Sequence, residues 1–217
     1  MSKNVLVVLS GCGVYDGSEI HEAVIALVAL ASAGASVTFA APNKDQLHVI
    51  NHATGDVMTE QRNVLVESAR IARGTISDLS EVSDVGFDAV FLPGGFGAAK
   101  NLCTFAFEGS DCSIDPEVQR VLSAFHRAGK PIGAVCIAPA VVVKALGAVS
   151  VTIGDDADTA AALRAMGGDH SAQAATECHI DAANKVVTAP AYMLDAPIDQ
   201  IAVGIQAAVT AVLELAS

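Results

Sequence analysis

The sequence predicts an α/β protein: a doubly wound, mostly parallel sheet with helices on both faces. Short unbroken apolar runs at 5–9, 89–92 and 132–135 read as strands covered on both sides, as in the middle of a parallel sheet. Helical patterns alternate with them along the chain, which is the signature of a wound sheet. Apolar residues make up 52% of the 217 and charged ones 17%, enough for a sizeable core.

Taken in order, 5–9 is the first strand. A loop at 10–18 follows, with Gly11, Gly13 and Gly17. A helix is expected over 19–33, capped by Ser18 or Asp16 and closed by Gly34. Residues 36–41 form the second strand, closed by Pro42, so the opening is a right-handed βαβ unit. The stretch 43–79 is less regular and is expected as an insertion beside the sheet. Within it, 48–59 suggests a hairpin turning at 54–56, and 63–72 a short amphipathic helix. Strand 89–92 runs into Pro93-Gly94-Gly95-Phe96-Gly97, with a helix start at Ala98. Residues 116–128 form an amphipathic helix with Val118, Val121, Leu122 and Phe125 on one face. Strand 132–135 and a helix over 137–146 come next. They are followed by a strand at 149–153, a helix at 159–166, a hairpin at 179–188 and a closing helix at 198–215. The whole chain, 1–217, suits one large α/β domain better than two small ones.

Lys plus Arg number 12 and Asp plus Glu 24, a formal charge of −12. An acidic surface with no basic cluster argues against nucleic acid and anionic membrane as partners. The five cysteines form no Cys-x-x-Cys pair, so reduced thiols and a cytoplasmic location are the simplest account. Leu9-Ser10-Gly11-Cys12 looks like a lipoprotein cleavage site, but the apolar run before it is shorter than the about 7–15 residues of a signal core. The apolar stretch 23–41 is interrupted by Gly34 and by hydroxyl side chains, so it reads as helix, turn and strand and not as a membrane span.

Chemistry is expected at Cys136. An apolar strand ends there and a helix begins at once, with Pro139 in its first turn. Ala134 and Ala138 flank the cysteine at both two-residue offsets, the steric demand of a nucleophile elbow. The helix N-terminus beyond it favours thiolate. The plainer alternative is a buried, inert cysteine at a strand end. Carbonyl attack needs fixed N–H donors for the oxyanion, and Ile137 with the Gly94–Gly95 loop is placed to supply them. That loop lacks the spacing of a dinucleotide fingerprint. No histidine follows Cys136, so the proton partner is sought in the first helix. Glu22 shares a face with Ala26 and Leu30 and points inward, where burial pushes a carboxyl towards its neutral form. Glu19 reads as a partner of the helix dipole. Cys12 and Asn101 are further pocket candidates, with Tyr15 and Asp16 as polar loop residues. Cys103, Cys112 and Cys178 read as ordinary thiols. His48 and His52 have a metal-like spacing but no second ligand pair, so no metal is expected.

Four stretches together closely resemble a known family: Ser10 through Glu22, Pro93 through Leu102, Cys136-Ile137-Ala138-Pro139-Ala140, and Thr188-Ala189-Pro190-Ala191-Tyr192-Met193. They resemble the ElbB-type branch of the ThiJ/PfpI superfamily, the enhancing lycopene biosynthesis proteins or isoprenoid biosynthesis glyoxalases. The resemblance covers essentially the whole chain. It implies a flavodoxin-like sandwich of the class I glutamine amidotransferase type. It implies a reactive Cys136 and, by its distance from Gly34, a carboxyl partner at Glu22. It also implies glyoxalase activity without glutathione or other cofactor on a small aldehyde, and a homodimer. The expected reaction takes glyoxal to glycolate through a cysteine hemithioacetal. A redox-sensing or protein-protective module using the same sulfur is the alternative. A cysteine hydrolase borrowing His170 or His179 is the weakest of the three.

Overall fold

A computed structural model describes residues 2–216. The strands are β1 (Asn4–Val8), β2 (Ser36–Ala41), β3 (Ser77–Asp78), β4 (Ala89–Leu92), β5 (Ile132–Val135), β6 (Ser150–Val151), β7 (Asp169–His170), β8 (His179–Asp181) and β9 (Val186–Ala189). The α-helices are α1 (Ile20–Ser32), α2 (Val64–Ile71), α3 (Phe105–Glu108), α4 (Pro116–Arg127), α5 (Ala138–Leu146), α6 (Ala157–Ala165) and α7 (Ile198–Leu215). Seven strands form the main sheet in the order β3-β2-β1-β4-β5-β9-β8. All neighbours are parallel except β8 with β9. This is the flavodoxin-like order, with connections diverging on either side of β1.

Alternation along the strands builds the two faces. Leu6 and Val8 of β1 point to one side, with Val90 and Leu92 of β4, and meet α4 and α5. Val5 and Val7 point to the other, with Ala89 and Phe91, and meet α1 and α7. The amphipathic face expected on α4 is the buried one: Val118, Val121, Leu122 and Phe125 are all essentially inaccessible. α7 is long and apolar enough to cross a membrane by length and composition alone. It lies on the sheet instead, with Ile201, Ile205, Val209 and Val212 buried against it.

Several elements differ from expectation. α1 is capped by neither Ser18 nor Asp16. Glu19 caps it, accepting the Glu22 N–H at 2.7 Å. Ser18 is committed to Ser10, whose N–H it accepts at 2.9 Å, and Asp16 Oδ2 accepts the Ile50 N–H at 2.7 Å. The stretch 43–79 is more than an insertion beside the sheet, because it returns to it and supplies the edge strand β3. Its hairpin is reduced to a single bridge, Ile50 with Val57. The strand expected at 149–153 shortens to β6, which pairs only with β7, outside the main sheet. Side chains end it: the Thr152 N–H goes to Thr188 Oγ1 at 2.8 Å and the Ile153 N–H to His170 Nε2 at 3.3 Å. Ala98 opens not an α-helix but a wide π-type turn, Ala98–Leu102.

Candidate active site

Three segments meet at the carboxyl ends of β1, β4 and β5. The first loop and the turn after β4 are laced together by their backbones. Glu19 N–H donates to Gly94 O at 2.9 Å, Phe96 N–H to Val14 O at 2.7 Å, and Gly97 N–H to Gly17 O at 2.9 Å. A Cβ on Gly97 would lie 2.4 Å from Gly17 Cα, so only glycines let the two segments approach this closely. Asn101 locks the arrangement from behind. Its Nδ2 donates to Ser10 O at 2.9 Å and Asp16 O at 3.0 Å, and its Oδ1 accepts the Leu47 N–H at 3.1 Å. Asn101 is therefore a clamp and not a pocket residue. Asn101→Ala leaves those buried groups unpaired and is expected to cost about 1–3 kcal/mol, read from urea unfolding.

Cys136 sits where β5 bends into α5. Its φ is +60°, a conformation that side chains rarely adopt. The strand ladder holds it there, its N–H donating to Ala189 O at 3.0 Å. Such strain at a bend aims a side chain outward from the sheet. Cys136 lines a cavity of about 440 Å³ and is 7% exposed as a residue. The N–H groups of Gly95 and Ile137 point at it.

Glu22 comes in from α1, fully buried, on the face shared with Ala26 and Leu30. Its Oε2 accepts the Gly94 N–H at 3.0 Å and its Oε1 the Tyr192 N–H at 3.2 Å. Its carboxyl lies beside the Cys136 thiol, and each group affects the other's ionisation. The two chemical groups thus face each other across Gly94. Gly94 is not an oxyanion donor, because its N–H is already given to Glu22. Its role is steric. A Cβ there would lie 2.4 Å from Cys136 Cβ and 2.8 Å from both Glu22 Oε2 and Val135 O. Gly94→Ala is expected to cost about 1–3 kcal/mol of stability and to separate the pair. Thermal unfolding and thiol-reagent kinetics on the purified variant check this.

The electrostatics of the pair depart from expectation. Burial, reinforced by the Glu19 carboxylate, raises Glu22 to about 8. Burial also pushes the Cys136 thiol well above its ordinary value, and the neighbouring Glu22 pushes the same way. The Gly95 and Ile137 N–H groups pull it down, but less. The resting sulfur is therefore a thiol, not the standing thiolate that the helix N-terminus alone suggested. Desolvation outweighs the dipole.

Glu19 is more than a partner of the helix dipole: it is nearly buried and lines the cavity beside Cys136. Tyr192 and Met193, from the segment after β9, form another wall. Cys12 is not part of the lining; it is half-buried near Arg70 and Glu67. Asp16 is buried under the first loop, and Tyr15 stacks on His52 with ring centroids 5.0 Å apart. His170 and His179 are engaged elsewhere, His179 with Ser150 Oγ at 2.8 Å. His48 meets Phe107 edge-on. Among the described residues no group of three or more His, Cys, Asp or Glu is placed to hold a metal ion.

Residues 4–191 match a family model described as the DJ-1/PfpI family. The chain belongs to the DJ-1/PfpI family. A human relative, glutamine amidotransferase-like class 1 domain-containing protein 3, mitochondrial, is 52% identical over 97% of this chain and 82% of its own. A rat relative, ES1 protein homolog, mitochondrial, is 51% identical over 97% of this chain and 83% of its own. Among solved structures, an isoprenoid biosynthesis protein with amidotransferase-like domain from Ehrlichia chaffeensis superposes with a TM-score of 0.93. It is 37% identical, with all of both chains covered. The mitochondrial names of these DJ-1/PfpI relatives overturn the cytoplasmic expectation. That expectation rested on unpaired thiols. All five cysteines are indeed free, but a free thiol marks a reducing compartment without saying which one.

Proposed function

We propose that this chain is a glutathione-independent glyoxalase of the ElbB-type branch, converting glyoxal to glycolate on Cys136. The superfamily includes glyoxalase and deglycase activities. The observation that carries the reading is the apposition of Cys136 and a buried Glu22 around Gly94, where one added Cβ would lie 2.4 Å from Cys136 Cβ and 2.8 Å from Glu22 Oε2, with burial raising that carboxyl to about 8. A carboxyl so placed is matched in strength to proton transfer near neutral pH.

In this reading the Glu22 carboxylate takes the thiol proton as sulfur adds to one aldehyde carbon. The resulting alkoxide takes that proton back, giving a hemithioacetal. Gly95 and Ile137 N–H, already aimed at the sulfur, are the nearest donors to the developing charge. Glu22 then removes the hydrogen of the sulfur-bearing carbon as a proton and returns it to the neighbouring carbon, while the hydroxyl proton passes from the first oxygen to the second. The first carbon is oxidised to a thioester and the second reduced to an alcohol, so no external oxidant is needed. Water hydrolyses the thioester and releases glycolate and free thiol. The test is purified protein with glyoxal, without glutathione or added metal, assayed for glycolate. Absence of glycolate above the buffer rate sinks the proposal.

Redox sensing is the weaker reading. It asks for an accessible thiol with a lowered pKa. Burial of Cys136 opposes both requirements.

A further inference from the structure

We propose that the substrates of this site are uncharged 2-oxoaldehydes bearing an aromatic or other bulky apolar substituent, and that anionic ones are excluded. The inference rests on the glyoxalase reading and narrows its substrate class.

Size is the first argument. The cavity of about 440 Å³ is of the order of sites that hold whole small molecules. Glyoxal, two carbons and two oxygens, would leave most of it filled with water. The chemistry is at Cys136. The remaining wall is largely apolar and is built by Val14, Phe96, Phe105, Ile137 and Met193 with the ring of Tyr192. An apolar substituent on the carbon next to the aldehyde would displace that water and gain from its own burial.

Charge is the second argument. The ionisable wall residues besides Cys136 and Tyr192 are Glu19 and Asp156, both acidic. Among the described residues no Lys, Arg or His lines the cavity. Lys100 lies close by, but its Nζ donates to Tyr15 O at 2.8 Å and sits 5.2 Å from the centroid of the Phe96 ring. His21 reaches the Tyr192 hydroxyl, Nδ1 to Oη 3.0 Å. An anionic substituent would therefore lose water beside the nearly buried Glu19 and face the solvent-exposed Asp156, with no cationic wall residue to offset either. Glu19 is nearly buried, so little solvent screens it. Asp156 caps α6, its Oδ1 accepting the Thr159 N–H at 2.7 Å, and the same bond holds it in place at the wall.

The probes are glyoxal, phenylglyoxal and 4-carboxyphenylglyoxal, assayed as initial rates of hydroxy-acid formation with Cys136→Ala as the blank. The blank removes any contribution from arginine adducts. Phenylglyoxal is isomerised to mandelate by the same redox-neutral steps. Its kcat/KM is expected to exceed that of glyoxal by at least about tenfold, the discrimination typical of filling an apolar pocket. The carboxylated analogue is expected to fall at least about tenfold below phenylglyoxal. Asp156→Asn keeps a cap-competent side chain and removes one charge, so it should narrow that second gap several-fold. Glyoxal matching or exceeding phenylglyoxal overturns the apolar half of the proposal. A carboxylated analogue as good as its parent, or a gap unmoved by Asp156→Asn, overturns the electrostatic half. These failures leave glycolate formation intact, whereas no acid product from any of the three aldehydes overturns the glyoxalase reading as well.

Discussion

Cys136→Ala is expected to lower glyoxal turnover by at least about 10⁴-fold, to the level set by buffer, while the protein stays folded. The sulfur is the atom that bonds to substrate, and no other described cysteine lines the cavity. Cys12, the other cysteine considered as a pocket candidate, sits outside the lining. Alanine is no worse than cysteine at a φ of +60°, so the backbone bend survives. Circular dichroism and the unfolding midpoint check the fold, and glycolate release checks the chemistry. Turnover within tenfold of the parent would remove Cys136 from the mechanism.

Glu22→Gln is expected to cost about 10²–10⁴-fold in kcat/KM, the usual weight of a positioned acid–base group. Its pH profile is the sharper test. The buried pair loses its first proton with an apparent pKa near 8, whichever of the two atoms holds the proton that remains. The singly ionised pair is the form that can attack. In the parent protein kcat/KM should therefore rise with pH through about 8, and Glu22→Gln should abolish that rise. The same carboxyl links stability to pH. Its folded pKa lies above its ordinary value of 4.5, so the folded chain binds the extra proton between the two. That contribution is fully present below 4.5 and is lost as pH rises through about 8. The parent should melt at lower temperature at alkaline pH, and the glutamine variant should show a smaller drop. Glutamine brings its own penalty, because its amide NH₂ faces a backbone N–H where Glu22 offered two acceptors.

The parts of this architecture that depend on local pattern could be read from the chain alone. Buried strands announce themselves as apolar runs: β4 and β5 fall where those runs predict, and β1 is shifted by one residue. The inward orientation of Glu22 followed from helical spacing to Leu30, and packing of α1 on the sheet preserves it. What escaped was set by contacts between distant segments. Gly94 gives its N–H to a side chain 72 residues earlier, and Asn101 bridges loops 85 and 91 residues earlier. Neither bond leaves a trace in local composition. Glu19 was underestimated for a similar reason: its position in the first turn suggested solvent, yet the turn after β4 closes over it. β3 and β7 are two residues long, too short for any period to show.

The left-handed backbone at Cys136 sets folding and reactivity at odds. Glycine would relax that residue by about 1–2 kcal/mol, since it alone visits such a φ freely. The chain therefore carries a residue that its own scaffold disfavours at the one spot where a sulfur is useful. Random drift under selection for solubility alone would erase the thiol and yield a sturdier, silent protein.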